Sequence, residues 1–287
     1  MLPRFDYFAP TNLDEAFALL DDRGSGARIL AGGTDLLVNL RAHAEHATCL
    51  IDLKRVRTLE TLHFDTKQGL TIGAAVSLRT LIESDTVTKL FPIIKDSASS
   101  IGDSTLRNRA TLVGNICNAS PAADMAPALL VLDAVVNIRN SGGTRMVPIR
   151  DFFTGAKKTV LGRGEVVVSV NIPLPPEGSK GCYLKARRVM GEDLAIVGVA
   201  GLATPNGNGR KSMRLAYASV APTPVRAFEA EAIFQKEKPV QQLLDEALPI
   251  VMQTLSPISD LRGGKEYRVN LVRVLTRRLV KTLWEAN

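Results

Sequence analysis

Two short glycine-containing segments carry most of the side chains that suit ligand binding. The longer one runs from Thr111 to Asp124 and places amide, hydroxyl and carboxylate groups around one glycine, Gly114. Glycine has no Cβ atom, so the backbone can approach a ligand closely there. The shorter one, residues 31–35, reads Ala-Gly-Gly-Thr-Asp. Together the two segments predict a large ligand with a diphosphate at its centre.

The shorter segment lies between a predicted strand over residues 27–30 and a predicted helix over residues 35–41. A helix that begins directly after a glycine turn leaves several backbone N–H groups without partners, and such groups bind anions. Because a diphosphate carries about two negative charges, these donors can hold it without a buried lysine. The order of strand, glycine turn and helix therefore predicts a phosphate-binding turn.

Polar side chains in the longer segment suit the parts of such a ligand that flank its phosphates. Asn115, Asn118 and Ser120 can hydrogen-bond phosphate, ribose or the edge of a ring system. Asp124 offers an acceptor for a hydroxyl group, and it also stands where the cap of a short helix over residues 125–132 would be. Asp124 therefore has two interpretations, a ligand contact and a helix cap, and both stay open.

The chain of 287 residues is long enough for two domains with a sizeable core. Residues 173–178 read Pro-Leu-Pro-Pro-Glu-Gly, a rigid connector that favours a domain boundary. We predict a first domain over residues 1–176 and a second over residues 177–287. The second has three predicted strands followed by three predicted helices, the first of them at about residues 225–234, which is an α+β pattern.

Composition and charge argue against nucleic acid as a partner and against a membrane span. The net charge of +7 is spread along the chain, and aromatic residues, which would stack on bases, make up only 5% of it. The longest apolar run, residues 194–203, falls short of the roughly 20 residues that cross a bilayer, so we interpret it as a buried strand. We expect a cytoplasmic protein whose basic surplus serves an anionic cofactor or an acidic partner subunit.

Cysteine and histidine are too few and too scattered for a metal site made by this chain alone. The cysteines are Cys49, Cys117 and Cys182, without CxxC spacing, and only three histidines are present. A structural zinc site needs four such ligands, and an iron–sulphur cluster usually needs four thiolates. We therefore expect no metal-binding residue here.

The two glycine segments resemble, in sequence and order, the flavin-diphosphate turns of the FAD-binding (medium) subunits of molybdenum hydroxylases. That family includes carbon monoxide dehydrogenase medium subunits, bacterial xanthine dehydrogenases, nicotinate dehydrogenases and 4-hydroxybenzoyl-CoA reductases. The similarity covers nearly the whole chain and includes residues 119–124, 165–173 and 185–193. One glycine turn alone would be a weak signal, but four motifs in this order are a specific one.

The resemblance implies an α+β fold. The first domain would be a flavin-binding fold of two α/β subdomains, at about residues 1–55 and 56–176. The second would be a small C-terminal domain with a three-stranded antiparallel sheet and helices.

The resemblance also implies how the two turns would hold the FAD diphosphate. The first turn would use its backbone N–H groups, with an apolar residue on either side: Ala31, Gly32, Gly33, Thr34 and Asp35, flanked by Ile29 and Leu36. The second turn would meet the diphosphate from the other side through Thr111, Gly114 and Asn115.

The rest of FAD would contact residues from both domains. Asn118 and Ser120 would add polar contacts, and Asp124 would hold a ribose or ribityl hydroxyl. The other contacts would be Ile101 near the isoalloxazine, Val166 and Val167 at the adenine pocket or its edge, and Lys185 and Asp193 approaching the flavin. Lys185 would stabilise the anionic reduced flavin and so raise its potential. No residue of this chain is expected to be catalytic.

The implied cofactor is non-covalent FAD, with molybdopterin and [2Fe–2S] clusters only on partner subunits. The partners would be a large molybdopterin-binding subunit and a small [2Fe–2S] subunit, assembled as a dimer of heterotrimers. Electrons would pass from the clusters through FAD to a soluble acceptor such as NAD.

Two alternatives remain open at this stage. One is a stand-alone flavin oxidase of the vanillyl-alcohol-oxidase type, which would bind its own organic substrate. The other is an assembly subunit that has lost FAD, supported by Val113, where the family commonly has a second glycine beside Gly114. The reductase branch of the family has an inserted cysteine-bearing loop, and this chain lacks such cysteines, so that branch is disfavoured.

Overall fold

The computed structural model describes residues 1–189, 191, 193–207 and 210–285. The N-terminal part of the chain forms a small parallel sheet. Its three strands lie in the order β1-β3-β2. The strands are β1 Asp6–Phe8, β2 Ala27–Leu30 and β3 Cys49–Asp52, and the helices are α1 Leu13–Arg23 and α2 Leu36–Arg41.

The next part of the chain forms a five-stranded antiparallel sheet in the order β4-β5-β10-β6-β7. Its strands are β4 Leu62–Asp65, β5 Gly69–Gly73, β6 Val135–Asn140, β7 Gly143–Pro148 and β10 Val166–Ile172, and β8 Phe153–Gly155 pairs with β9 Lys158–Thr159 beside it. Six short helices accompany the sheet: α3 Leu78–Glu83, α4 Asp85–Leu90, α5 Pro92–Ser99, α6 Ser104–Arg107, α7 Leu112–Cys117 and α8 Met125–Val131.

The C-terminal part is a four-stranded antiparallel sheet in the order β11-β12-β13-β14, followed by helices. The strands are β11 Lys180–Ala186, β12 Val197–Pro205, β13 Lys211–Ala218 and β14 Val225–Arg226. The helices are α9 Phe228–Glu231, α10 Val240–Thr254 and α11 Lys265–Glu285. Short 3₁₀ turns occupy Gly24–Gly26, Leu53–Arg55, Arg57–Glu60, Ile149–Asp151 and Ala232–Gln235.

This sheet corrects one expectation and leaves the α+β class as predicted. The prediction of three strands was wrong, because residues 225–226 form a fourth strand where a helix was expected to begin. Val225 lies opposite Tyr217 and Arg226 lies opposite Ala216. Pro224 ends the preceding loop, and a β-branched valine favours an extended backbone, so the helix starts only at Phe228.

The C-terminal sheet is buried on both faces, which explains the continuous apolar run around β12. Leu202, Ala200 and Ala216 belong to the hydrophobic core of the N-terminal domain. Val199 and Leu215, on the other face, pack in a separate core with α10 and α11. The two domains therefore share one of their cores, and the sheet lies between them.

Within the described residues, no helix is long and apolar enough to cross a membrane. The same residues contain no group of three or more His, Cys, Asp or Glu side chains that could hold a metal ion.

Candidate functional site

One cleft of about 1160 Å³ lies between the two glycine turns and reaches the C-terminal domain. This volume is slightly above the roughly 300–1,000 Å³ typical of small-molecule pockets, so it suits a large ligand. Every residue that the sequence nominated lines it: Ile29, Ala31, Gly32, Gly33, Thr34, Asp35, Leu36, Ile101, Thr111, Gly114, Asn115, Asn118, Ser120, Asp124, Val166, Val167, Lys185 and Asp193.

The first turn connects β2 to α2 and depends on both of its glycines. Gly33 has a φ of 76°, a left-handed conformation that glycine adopts without strain. A Cβ atom on Gly32 would lie 2.2 Å from the carbonyl oxygen of Arg109, just before the second turn. Gly32 therefore allows the two turns to touch through their backbones.

The same turn offers free hydrogen-bond donors to the cleft. The amide N–H groups of residues 32–35 donate to no atom within the described part of the chain. Residues 32–34 are half-buried and Asp35 is exposed, so these donors are available to a ligand or to solvent. Their position at the start of α2 favours an anion. These donors and the glycine cradle fit a diphosphate.

Lys54 stabilises this turn by a hydrogen bond to its backbone, and it was not among the predicted site residues. Its Nζ donates to the carbonyl oxygen of Ala31 over 3.1 Å and pairs with Asp52 Oδ2 at 2.6 Å. The hydroxyl of Tyr7 donates to the same carboxylate oxygen at 2.5 Å. Burial raises the pKa of Asp52, but the hydrogen bonds from Lys54 and Tyr7 outweigh it and lower the pKa below its ordinary value. In the sequence, Lys54 is marked only by the opposite charge of Asp52 two residues earlier, at the end of a buried strand.

The second turn is the start of α7, capped by Thr111. Thr111 Oγ1 accepts from the Gly114 amide at 2.8 Å. A Cβ atom on Gly114 would meet that oxygen at 2.9 Å, and among the described residues no other atom beyond the adjacent residues and the backbone of α7 lies within 4 Å of it. The rest of the space above Gly114 is open to the cleft, as a close approach by a ligand requires.

Val113 fits this turn without strain. It lies within α7, is buried and does not adopt a positive φ. Its side chain packs in the core of the N-terminal domain, so the absence of the second family glycine does not distort the backbone. The structural argument for a subunit that has lost FAD is thereby removed.

Asn115, and not Asp124, caps α8. Its Oδ1 accepts from the Met125 amide at 3.2 Å. Asp124 occupies the cap position, but its backbone is helical there and its side chain makes no cap hydrogen bond. The helix-cap interpretation of Asp124 was therefore wrong. An N-cap side chain normally requires an extended backbone to reach the helix N–H groups.

Two other polar side chains of this segment, Asn118 and Ser120, form hydrogen bonds as acceptors. Asn118 Oδ1 accepts from Lys157 Nζ at 2.6 Å, and Ser120 Oγ accepts from the Ala122 amide at 3.2 Å. The Asn118 NH₂ group and the Ser120 hydroxyl hydrogen have no partner in the part of the chain that the structure describes. Both remain available as donors to a ligand.

Asp124 joins the two domains in a buried ion pair. Its Oδ1 accepts from the Tyr183 hydroxyl at 2.7 Å, and its Oδ2 accepts from Lys185 Nζ at 2.9 Å. Lys185 also donates to the Ser100 carbonyl oxygen, at 3.1 Å. The Asp124 and Lys185 side chains are each only 5% exposed. Burial raises the pKa of Asp124 above its ordinary value, and the interactions with Lys185 and Tyr183 offset only part of this rise.

Asp193 fixes the loop before β12. Its Oδ2 accepts from the Arg188 amide at 3.0 Å and from Arg188 Nε at 3.3 Å. Burial raises the pKa of Asp193, but these hydrogen bonds lower it below its ordinary value. Asp193 lines the cleft, and its contact with a flavin stays a prediction.

The C-terminal domain contributes a further wall that the sequence did not reveal. Ser219, Ile258 and Arg262 line the cleft there. The Ser219 amide donates to the carbonyl oxygen of Pro121 at 2.7 Å, which ties this wall to the second turn. Ser219 lies in the loop after β13, and Ile258 and Arg262 lie in the connection between α10 and α11, so no single local pattern marks them.

Comparisons with known proteins identify the family of this chain. The family described as "FAD binding domain in molybdopterin dehydrogenase" matches residues 3–175. The family described as "CO dehydrogenase flavoprotein C-terminal domain" matches residues 181–283. This chain belongs to the family of FAD-binding medium subunits of molybdenum hydroxylases, as the sequence motifs indicated.

The similar proteins match along almost their full length. The xanthine dehydrogenase FAD-binding subunit of Escherichia coli O157:H7 is 32% identical over 275 residues, covering 96% of this chain and 94% of that one. The carbon monoxide dehydrogenase medium chain of Afipia carboxidovorans is 32% identical over 282 residues, covering 98% and 97%.

Solved structures show the same fold. A carbon monoxide dehydrogenase from Hydrogenophaga pseudoflava, in a form that lacks the Mo-pyranopterin moiety of its cofactor, matches with a TM-score of 0.95 and 32% identity. The match covers 99% of this chain and 98% of that one. Quinoline 2-oxidoreductase from Pseudomonas putida 86 matches with a TM-score of 0.92 and 30% identity, covering 99% and 98%.

Proposed function

We propose that this chain holds FAD non-covalently in the cleft and relays electrons within a heterotrimeric molybdenum hydroxylase. The observation that carries this proposal is the row of unpaired amides at residues 32–35, beside a second glycine turn, in a cleft lined by both domains. When bound, FAD accepts reducing equivalents and passes them on. The chain's own residues bind and orient it.

The binding contacts follow from the geometry just described. The amides of residues 32–35 would donate to the diphosphate from one side, and Gly114 would leave room for it on the other. Val166 and Val167, both buried in β10, form an apolar wall for a ring system. Lys185 and Asp193 bring charge from the C-terminal domain, although Asp124 already neutralises Lys185.

The partners in this proposal are a large molybdopterin-binding subunit and a small [2Fe–2S] subunit, assembled as a dimer of heterotrimers. Support comes from the similar carbon monoxide dehydrogenase chains, which are named medium chains, and from solved structures of whole molybdenum enzymes. Electrons would leave FAD for an external acceptor such as NAD. The three cysteines are free thiols, which suits the reducing cytoplasm.

Loss of the Asp124 carboxylate is expected to weaken FAD binding by about 1–3 kcal/mol, because Asp124→Ala leaves buried polar groups unpaired. The Lys185 ammonium would keep only the Ser100 carbonyl. Titration of apo-protein with FAD, followed by quenching of flavin fluorescence, measures the change. Asp124→Asn serves as the comparison, since it keeps an acceptor for Tyr183 and replaces the acceptor of Lys185 by an NH₂ donor. An unaltered Kd for Asp124→Ala would exclude Asp124 from the FAD site.

The cofactor assignment is tested by purifying the protein and recording its visible spectrum. We expect flavin absorption, with the chromophore released into the supernatant when the protein is precipitated with acid. Flavin that stays with the precipitate would indicate a covalent bond and favour the flavin-oxidase alternative. A colourless protein that cannot be reconstituted with FAD would favour the assembly subunit.

A further inference from the structure

Helix α8 carries the cleft-lining residue Asp124 at its start, and the C-terminal domain grips both of its ends. All seven of its residues are buried. At the front, Tyr183 and Lys185 of β11 bond to Asp124. At the back, two arginines from β13 and β14 bond to the last turn. Since β11 and β14 are the two edge strands of the sheet, the helix is held across the whole sheet.

The dimensions agree with this arrangement. A seven-residue helix is about 10 Å long. Four neighbouring strands span roughly 14 Å from edge to edge, at about 4.8 Å per spacing. Side chains at each end bridge the remainder, so the helix and the sheet match in length.

The contacts at the back form what we call the arginine clamp: Arg214, Arg226, Asp133 and Glu231. Arg226 Nη1 donates to the Leu130 carbonyl at 3.1 Å and to Asp133 Oδ1 at 2.5 Å. Arg214 Nη1 donates to the Val131 carbonyl at 3.0 Å and pairs with Asp133 Oδ2 at 2.7 Å. The end carbonyls of a helix lack partners within it and carry partial negative charge, so guanidinium groups stabilise them.

The Arg226–Glu231 pair of the clamp is fixed and largely desolvated. Arg226 forms a two-pronged pair with Glu231, at 2.7 and 2.8 Å, and only 7% of its side chain is exposed. Such a fork holds the guanidinium in one orientation. Its position is therefore set by the C-terminal sheet.

Asp133 has a backbone conformation that normally selects glycine. Its φ is 52°, at the point where the chain leaves α8. Glycine is the usual residue after a helix in this left-handed conformation, and a side chain there is disfavoured. Aspartate at this point supplies the carboxylate that both arginines share.

From this geometry we infer that the arginine clamp positions the flavin site without touching it. The clamp fixes the back of α8, and a rigid buried helix transmits that position to Asp124 and the residues before it. Arg214 and Arg226 are then positioning residues for FAD. This inference rests on the proposed function, because it concerns the same cleft.

The test uses the full-length protein carrying Arg226→Met. We expect its Kd for FAD, measured by fluorescence titration of apo-protein, to rise about tenfold. At saturating FAD, we expect the visible circular dichroism of the flavin to differ from wild type, because the ring environment has shifted. Arg226→Lys, which keeps one charged donor for Leu130 and Asp133, should recover part of both signals.

The matched control is Tyr217→Phe, which removes a buried hydrogen bond to Thr276 in the same domain. It should lower the melting temperature and leave both the Kd and the dichroism of the flavin as in wild type. Should Arg226→Met be insoluble, Asp133→Asn provides the same measurement at a half-exposed position, with an expected rise in Kd of two- to threefold.

The outcomes separate the two claims. Clamp variants that melt earlier but bind FAD with wild-type Kd and dichroism would refute the positioning role and leave the proposed function standing. A wild-type protein that takes up no FAD would refute the proposed function and this inference with it.

Discussion

Gly32→Ala is expected to purify without stoichiometric flavin. The added methyl group would lie 2.2 Å from the Arg109 carbonyl oxygen and 2.9 Å from the Ala110 Cα, so the two turns must move apart. Overpacking against fixed backbone costs about 1–3 kcal/mol, and the upper end corresponds to a roughly hundredfold rise in Kd. The ratio of flavin to protein in the purified sample and a titration of apo-protein measure it.

The control for this substitution is Gly264→Ala. Among the described residues, a Cβ atom there would meet no atom within 4 Å beyond its chain neighbours, and Gly264 does not line the cleft. It should retain flavin as wild type does. If Gly32→Ala also retains a full complement of flavin with an unchanged Kd, the contact between the two turns is not needed for binding.

Gly114→Val is expected to abolish flavin retention by filling the space in front of α7. The branched side chain would project where the cleft is open, and the ligand's phosphates would be displaced. Helix propensity does not explain such a loss, because valine is a better helix former than glycine. The valine Cβ also meets the Thr111 hydroxyl at 2.9 Å, so the melting temperature of the apo-protein should fall only by what this cap contributes, about 1 kcal/mol, while the flavin is lost.

Gly114→Ala is expected to weaken flavin binding to a smaller degree than Gly114→Val. Its single methyl group would meet the Thr111 hydroxyl at 2.9 Å and disturb the cap of α7, which contributes about 1 kcal/mol. We expect weaker binding than in wild type, with flavin still detectable. Stoichiometric flavin in the Gly114→Val protein would show that this turn is not at the diphosphate.

Much of the site could be predicted because glycine turns are local features. Gly33 needs a left-handed backbone and Gly32 needs close approach, and both requirements leave the same signature in sequence. The family resemblance supplied the remaining positions, including Lys185 and Asp193 in a domain that local patterns do not connect to the turns. All of these positions line one cleft, and their contacts with FAD stay a prediction.

Contacts between distant residues could not be predicted. Lys54 reaches Ala31 across 23 positions, and Arg226 reaches Leu130 across 96. Nothing near Lys54 or Arg226 in the sequence shows which carbonyl each one meets. The cap that Asn115 provides for α8 has the same origin, since Asn115 reaches the Met125 amide across 10 positions.

The fourth strand shows how pairing overrides local propensity. Val225 and Arg226 precede a helical segment, and helical spacing alone extends that segment back over them. Their pairing with β13 and the fork between Arg226 and Glu231 hold them extended instead. A two-residue strand has too short a pattern to be recognised without its neighbour.

Neither face of the C-terminal sheet is exposed to water, because each packs in a hydrophobic core. The core of the N-terminal domain includes Leu202, Ala200 and Ala216. A C-terminal fragment produced by cleavage at residues 173–178 would therefore expose an apolar surface. The boundary between the two family matches is therefore crossed by a shared hydrophobic core, and we expect the two parts of the chain to unfold together.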